Sequence, residues 1–449
     1  MSLRIIYGKS GTGKSTYIFN EIAEKIKENK KIYIITPEQY SFTAEKKLMN
    51  TVKEKAVINA EVLTFGRMAY RVLNEVGGVS KTHLTECGRA MLIYSILMKE
   101  KKNLRFLGKS DENTQLLMTT LTEFKKHNIS TEILNEMIIN TKEEYLKNKL
   151  KDVQTVFENY EANIKGKYID ENDVLTLLSQ KLEKTHEFDN SLIYIDEFVG
   201  FTPQEYEIIE KLLKIVSNVT VTICTDNLNQ TNNKDIDLYY TNKVTANKLI
   251  DIAKANGTGI EDSIKLDNLY RFKNQELVHL EENIYAPFYS IYKENVQNVN
   301  LFLANNYYSE IENIAIKILK LVKEENLRYK DISIITKNID TYSSIAKAIF
   351  NKYEIPVFID EKRELSQNIL VKYLIALLEI FTKNWAFETV MNYIKIGLCD
   401  IEPDDIFILE NYAIRWGIKG NKWYEQEDWS FGEIKDKNKV DRVNELRRK

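Results

Sequence analysis

Short apolar runs and longer amphipathic stretches alternate along the first part of the chain. Leu3 to Tyr7 is a compact apolar run, and behind it Ile18, Phe19, Ile22 and Ile26 recur at helical spacing. Lys31 to Thr36 is a second apolar run, closed by Pro37. Strand, loop, helix and strand in that order predict a βαβ opening, hence a parallel sheet with right-handed crossovers. Ala60 to Phe65, ending at Gly66, reads as a third strand. From about Thr85 to Glu183 the period changes. Leu92, Ile93, Ile96 and Leu97, then Leu116, Leu117, Leu121 and Phe124, predict long amphipathic helices and an all-helical insertion. Ser191 to Ile195 and Val219 to Ile223 then restore the buried-strand pattern, and the Asn-rich segment 226–235 predicts an exposed loop.

A third block begins near Asn298. Asn300–Ala304, Asp331–Thr336 and Val357–Ile359 are expected strands, separated by helical patterns over Glu310–Glu324 and Tyr342–Tyr353. That order predicts a second α/β unit. From Leu370 the pattern is helical again, with Trp385, Trp416, Trp423 and Trp429 as aromatic anchors.

Size and composition narrow the classes. A chain of 449 residues exceeds one core, so two to four domains are expected. A net charge of −3 excludes an overall basic signature, and nucleic-acid binding must rest on local patches or a partner. Three cysteines and four histidines are scattered, which argues against a metal cluster or a Ser–His–acid triad. Unpaired cysteines suit reduced thiols in a cytoplasmic protein. The early first strand leaves no room for a signal peptide, and no apolar run is long enough to span a membrane. The polar, helix-like ending Glu445–Lys449 carries no stop signal and reads as part of something longer.

The sharpest chemical signal is the loop between the first strand and helix. Gly8, Lys9, Ser10, Gly11, Thr12, Gly13, Lys14, Ser15 and Thr16 form a complete Walker A sequence. Glycines let backbone N–H groups curl around a phosphate, and the helix N-terminus adds a favourable dipole. Lys14 is expected to reach the outer phosphates of ATP, and Ser15 to hold Mg²⁺. Asp196 and Glu197, ending an apolar strand, form the matching Walker B pair: Asp196 supports the metal, and Glu197 polarises the attacking water. Thr225-Asp226, after the next strand, reads as a turn or as a phosphate sensor. Leu269-Tyr270-Arg271-Phe272 could stack on a base, touch a phosphate, or pack at a domain junction.

Several longer segments carry a resemblance. Thr36-Pro37-Glu38-Gln39-Tyr40-Ser41-Phe42-Thr43, Leu63 to Arg67, Ile195 to Gln204, Asp331-Ile332-Ser333 and Ile355 to Asp360 together resemble the B subunits of bacterial AddAB helicase–nucleases. The resemblance implies a superfamily 1-like α/β fold of two RecA-like P-loop NTPase domains with helical insertions. Domain 1A would comprise residues 1–84 and 190–290, insertion 1B residues 85–189, domain 2A the stretch 297–385, and the start of 2B residues 386–449. It implies a heterodimer with an A subunit, contact with single- and double-stranded DNA, and resection of double-strand breaks for homologous recombination under control of a Chi sequence. Thr64, Arg67 and Arg271 become the expected DNA contacts. The family's nuclease centre and iron–sulfur cluster are expected beyond this chain. Departures from a working motor are also legible: Val199 stands where superfamily 1 helicases carry glutamine, and Thr225-Asp226-Asn227-Leu228-Asn229 lacks the usual Gly and Gln. A nucleotide-binding DNA platform is therefore expected, with an autonomous superfamily 1 helicase as the alternative and a small-molecule kinase as a remote third.

Overall fold

The computed structural model describes residues 1–28, 30–52, 59–78, 82–107, 113–229, 234–286, 288–361, 365–430 and 437–448. They fall into two units, residues 1–300 and 301–449.

The first unit opens with β1 (Ser2–Gly8), α1 (Lys14–Lys25), β2 (Ile32–Ile35), α2 (Glu38–Val52), β3 (Ala60–Leu63) and α3 (Phe65–Val76). The chain then leaves the sheet through β4 (Thr82–Leu84), α4 (Glu86–Glu100), α5 (Asn113–Lys126), α6 (Thr131–Asn140), α7 (Glu144–Ile164), β5 (Tyr168–Asp170) and α8 (Val174–Lys181). It returns as β6 (Leu192–Ile195), α9 (Pro203–Leu212), β7 (Asn218–Cys224), α10 (Tyr240–Ala255), the short β8 (Gly259–Ile260) and β9 (Ile264–Lys265), and α11 (Gln275–Asn283).

The sheet order is β3-β2-β6-β7-β1-β8, with β9 also on β1, and its pairings are parallel. Parallel strands covered on both faces read as continuous apolar runs. Ile32–Ile35 and Leu192–Ile195 are accordingly buried at every position. Alternate side chains serve the two layers. Leu3, Ile5, Ile35 and Leu63 pack with α3, α8, α9 and α10, whereas Ile6, Ile34 and Val62 pack with α1 and α2.

The excursion, expected to be all-helical, also carries β5, which pairs in parallel with β4 from Thr82–Tyr168 to Leu84–Asp170. Its helices have a core of their own, including Ile93, Leu117, Leu134, Val156 and Tyr160. From Ile169 onward, through Val174 and Leu178, the chain rejoins the main core. A charge cluster joins these parts. Buried Lys125 lies 2.7 Å from Asp173, 2.8 Å from Glu161 and 3.4 Å from Asp170, and the Tyr160 hydroxyl donates to Asp170 at 2.7 Å. Burial pulls the Lys125 pKa down, but the three carboxylates outweigh it and hold the ammonium above its ordinary range.

In the second unit, α12 (Tyr307–Glu324) and α13 (Ile339–Lys352) pack through Ile311, Ala315, Ile349 and Phe350. Beyond them α14 (Ile369–Thr382), α15 (Phe387–Lys395), α16 (Pro403–Trp416) and α17 (Lys437–Arg448) surround a core containing Trp423 and Trp429, with Trp385 and Trp416 partly buried against it. The helices expected from the pattern are present, but the expected strands are not. Among the described residues, 300–304, 331–336 and 357–359 form no strand, so this unit contains no second sheet there. The physical reason is exposure on one side. Ile332, Ile355 and Ile359 face the α12–α13 core, while Leu301, Leu303, Ile335 and Phe358 are 100%, 98%, 94% and 89% exposed. An apolar run becomes a strand only when a neighbour pairs its backbone groups.

Among the described residues no helix is long and apolar enough to cross a membrane.

Candidate nucleotide-binding site

The phosphate loop is shaped by local backbone chemistry. Gly11 and Gly13 hold φ at +85° and +83°, a region that side-chain-bearing residues avoid, and Gly13 caps α1 from that conformation. Lys14 Nζ donates to the carbonyls of Gly8 and Lys9, both at 2.9 Å, so the ammonium lies across the mouth of the loop. Thr12 closes the turn by donating to the Lys9 carbonyl at 2.9 Å. Lys9 itself points away and pairs with Glu281 at 3.2 Å, Ser10 is exposed, and Thr16 is exposed on the first turn of α1.

Sheet register delivers the carboxylates. Ile35 pairs with Ile195, and Ile195 with Val221, so Thr36 and Asp196, just past the ends of β2 and β6, form a row with Thr222 inside β7. β7 separates the phosphate-loop strand from the Walker B strand, which places the acid pair across the loop from Lys14. Asp196 is 1% exposed and accepts a hydrogen bond from the Thr222 hydroxyl through Oδ1. Among the described residues its Oδ2 has no hydrogen-bond partner, nor does the buried Thr36 hydroxyl. Burial, reinforced by the adjacent Glu197 charge, pushes the Asp196 carboxyl above its ordinary range. Glu197 adopts φ +65° and accepts from the Ser15 hydroxyl at 3.0 Å. A hydroxyl at the helix start, a buried carboxylate oxygen without a partner and a second carboxylate form a hard-oxygen set. That set suits Mg²⁺, which keeps waters and phosphate oxygens in its remaining positions. The orphaned Oδ2 thus fits a cation-supporting role.

Three side chains, those of Tyr40, Tyr270 and Arg271, come to this site from elsewhere. Tyr40 on α2 lies beside Ser15, and its phenol is pushed up to about 12, first by burial and then by the charges of Glu197 and Asp196. Leu266 donates its backbone N–H to the Tyr7 carbonyl at 2.8 Å, and Tyr270 donates to Gly11 at 3.0 Å. These bonds lay the 266–271 segment along the loop. The Tyr270 ring faces Gly13, and Arg271 Nη1 donates to Ser10 Oγ at 2.9 Å. Arg271, expected as a DNA contact, is thus positioned over the phosphate loop.

Residues 5–281 match the model of the family described as ADDB, N-terminal. The chain belongs to the AddB N-terminal family. It is similar to proteins named as the B subunit of an ATP-dependent helicase/deoxyribonuclease: 42% identical to that of Clostridium tetani, 40% to that of Clostridium botulinum (strain Loch Maree) and 38% to that of Clostridium acetobutylicum. Each match covers 100% of this chain and 40–41% of the relative, so the chain spans about two fifths of their length.

Within this AddB-family chain, the other two expected DNA contacts stand apart from the nucleotide loop. Thr64 caps α3, its hydroxyl accepting from the Arg67 N–H at 3.1 Å, and is 5% exposed. The Arg67 guanidinium is exposed and pairs with Glu45 at 2.8 Å. Val199 presents an apolar side chain to solvent, while its carbonyl accepts from Thr245 at 3.1 Å. Asp226 is tied to buried Lys243 at 3.0 Å, which fixes the turn after β7. Tyr40 carried no signal as a site residue beyond its place in a family segment. Tyr270 stood next to an arginine, a pairing that did not by itself distinguish base, phosphate or packing.

Proposed function

We propose that this chain is the helicase-like part of the B subunit of a heterodimeric ATP-dependent helicase/exonuclease. In this reading it binds ATP and single-stranded DNA, works with an A-subunit partner on broken double-stranded DNA during homologous recombination, and takes part in Chi recognition. The observation that carries it is the convergence of Lys14, Ser15, Asp196, Glu197 and Arg271 on one glycine loop in an AddB-family chain. Lys14 exchanges the Gly8 and Lys9 carbonyls for phosphate oxygens, and Arg271 exchanges Ser10 for the outermost phosphate. Tyr270 offers a flat face above Gly13 for the purine. Mg²⁺, when bound, neutralises phosphate charge beside Ser15 and Asp196. Thr64 and Arg67 supply the DNA-facing turn; domain 2A over 297–385 and the start of 2B over 386–449 are proposed from the family resemblance, the described residues there forming helices and no strand.

Occupation without autonomous turnover is the functional reading, because Val199 replaces the glutamine of a working motor. The alternative, an autonomous superfamily 1 ATPase, is favoured by the Glu197 carboxylate standing at Ser15. ATP binding and ATPase assays on the chain, with and without single-stranded DNA and beside Lys14→Ala, separate the two. Binding without turnover, lost in Lys14→Ala, supports the platform. DNA-stimulated turnover abolished by Lys14→Ala makes it a motor, and no ATP binding at all rejects both.

A further inference from the structure

The loop that carries Glu197 is held at both ends and strained in the middle. Asp196 is fixed by the backbone bond from its N–H to the Ile35 carbonyl at 3.0 Å. At the far end Thr202 forms a reciprocal capping box with Glu205 at the start of α9. Between them Glu197 sits at φ +65°, a conformation that costs free energy in a residue bearing a Cβ. Its carboxylate takes the Ser15 hydroxyl that a nucleotide-bound cation would claim. Any change at Ser15 therefore acts on a backbone position poised to relax.

The residue that must move with it is Phe198. Its ring meets Phe65 edge-on at 5.7 Å between centroids and Phe201 at 5.1 Å; Phe201 meets Phe65 at 6.4 Å and Tyr206 at 5.4 Å. Lys248 covers the Tyr206 ring at 3.9 Å, and Thr245 holds the Val199 carbonyl at 3.1 Å, so the cluster is braced from α10. Phe65 is 5% exposed and is the first residue of α3. It directly follows Thr64, whose hydroxyl holds the Arg67 N–H, and Arg67 projects its guanidinium to the surface. Nucleotide loop and α3 turn are thus joined by contacts running Ser15, Glu197, Phe198, Phe65, Thr64.

We propose that Phe198 and Phe65 are positioning residues that couple nucleotide binding to single-strand binding. Cation–nucleotide at Ser15 frees Glu197 from its left-handed conformation. Phe198 then repacks against Phe65 and re-sets the Thr64–Arg67 turn. Coupling through packed side chains needs an element with two arrangements, and Glu197 supplies it. The proposal rests on the reading that this chain binds both ATP and single-stranded DNA.

The test uses the whole chain, a fluorescent ATP analogue with Mg²⁺, and a fluorescein-labelled oligothymidylate. Each dissociation constant is measured alone and with the other ligand saturating. In the unaltered chain each ligand should shift the other's constant by the same factor, at least about fivefold. Phe198→Leu should bring that factor to within about twofold of unity while both single-ligand constants stay within about twofold of the unaltered values. Phe201→Leu, which retains the Phe198–Phe65 contact, should keep the coupling and serves as the folding control by its melting temperature. If Phe198→Leu unfolds, Phe65→Met carries the same expectation. Both ligands binding without a mutual shift, or full coupling in folded Phe198→Leu, overturns the bridge alone. Failure of either ligand to bind overturns the functional reading and the bridge with it.

Discussion

Truncating Arg271 to alanine tests the nucleotide site at its most distant contributor in sequence. In the structure its guanidinium donates to Ser10 Oγ at 2.9 Å, and its side chain lies against Gly11. A hydrogen bond to a charged group contributes about 1.5–3 kcal/mol. That corresponds to about 10- to 150-fold in a dissociation constant. The guanidinium gives up the Ser10 bond when it takes a phosphate, so the net loss falls at the lower end, about 10- to 30-fold for ATP. ADP, lacking the outermost phosphate, should lose less. Arg271 is exposed, so stability should change by no more than about 0.5 kcal/mol. Arg271→Lys keeps the charge but loses the planar fork, and should recover only part of the affinity. The assay is equilibrium titration with fluorescent ATP and ADP, with a thermal melt on the same samples. An ATP constant within about twofold of the unaltered chain, or equal losses for ATP and ADP, would refute the assignment of Arg271 to the outer phosphate.

Three further outcomes are expected. Lys125→Met strands Asp170, Asp173 and Glu161 around an apolar side chain and should destabilise the helical excursion by about 3–5 kcal/mol, read by urea denaturation. The sign of its pH dependence follows from the cluster. Burial alone would raise Asp170, but Lys125, the Tyr160 hydroxyl and Arg89 outweigh it and hold the carboxyl below its ordinary 3.8. The Asp170 contribution is therefore present above pH 3.8 and lost as pH falls through its folded pKa, whereas Asp173, which burial holds above 3.8, contributes with the opposite sign. An acid-side fall in urea midpoint equally large in Asp170→Asn and the unaltered chain would contradict the Asp170 assignment. Asp196→Asn should act oppositely on stability and function. Burial raises the Asp196 pKa, so stability falls as pH rises from 3.8 through the folded value and stays low above it. The amide should therefore melt higher than the unaltered chain at pH 8, by about 1 kcal/mol, while losing the Mg²⁺-dependent gain in nucleotide affinity. Gly11→Ala forces a side chain into φ +85° and sets its Cβ 2.6 Å from that of Arg271, so ATP binding should weaken beyond the Arg271→Ala value; equal affinities would count against the close packing.

How much was legible differs between parts of the chain for physical reasons. The glycine loop is contiguous, and its glycines, lysine and serine act through local backbone geometry, so nine residues sufficed to propose it as a phosphate site. Asp196 and Glu197 were legible because a parallel-sheet strand buried on both faces announces itself, and chemistry collects at its carboxyl end. The helices of the second unit followed from period alone. The strands between them did not form, because Leu301, Leu303, Ile335 and Phe358 have the composition of a strand but no paired neighbour among the described residues.

What the sequence determined by itself is therefore what depends on near neighbours: the glycine loop, the capped helices and the buried parallel strands. The tertiary structure alone decided what depends on register and on chain return. β9 on β1 lays Tyr270 and Arg271 over a loop hundreds of residues earlier in the chain, and the β2–β6–β7 register sets Thr36, Asp196 and Thr222 side by side. It also gathers Lys125 and its three carboxylates from two helices, the end of β5 and the turn that follows it. Hydrophobic period specifies which face of an element is buried. Which buried faces meet, and which charges then share a low-dielectric site, is set by packing between segments whose separation along the chain carries no local signal.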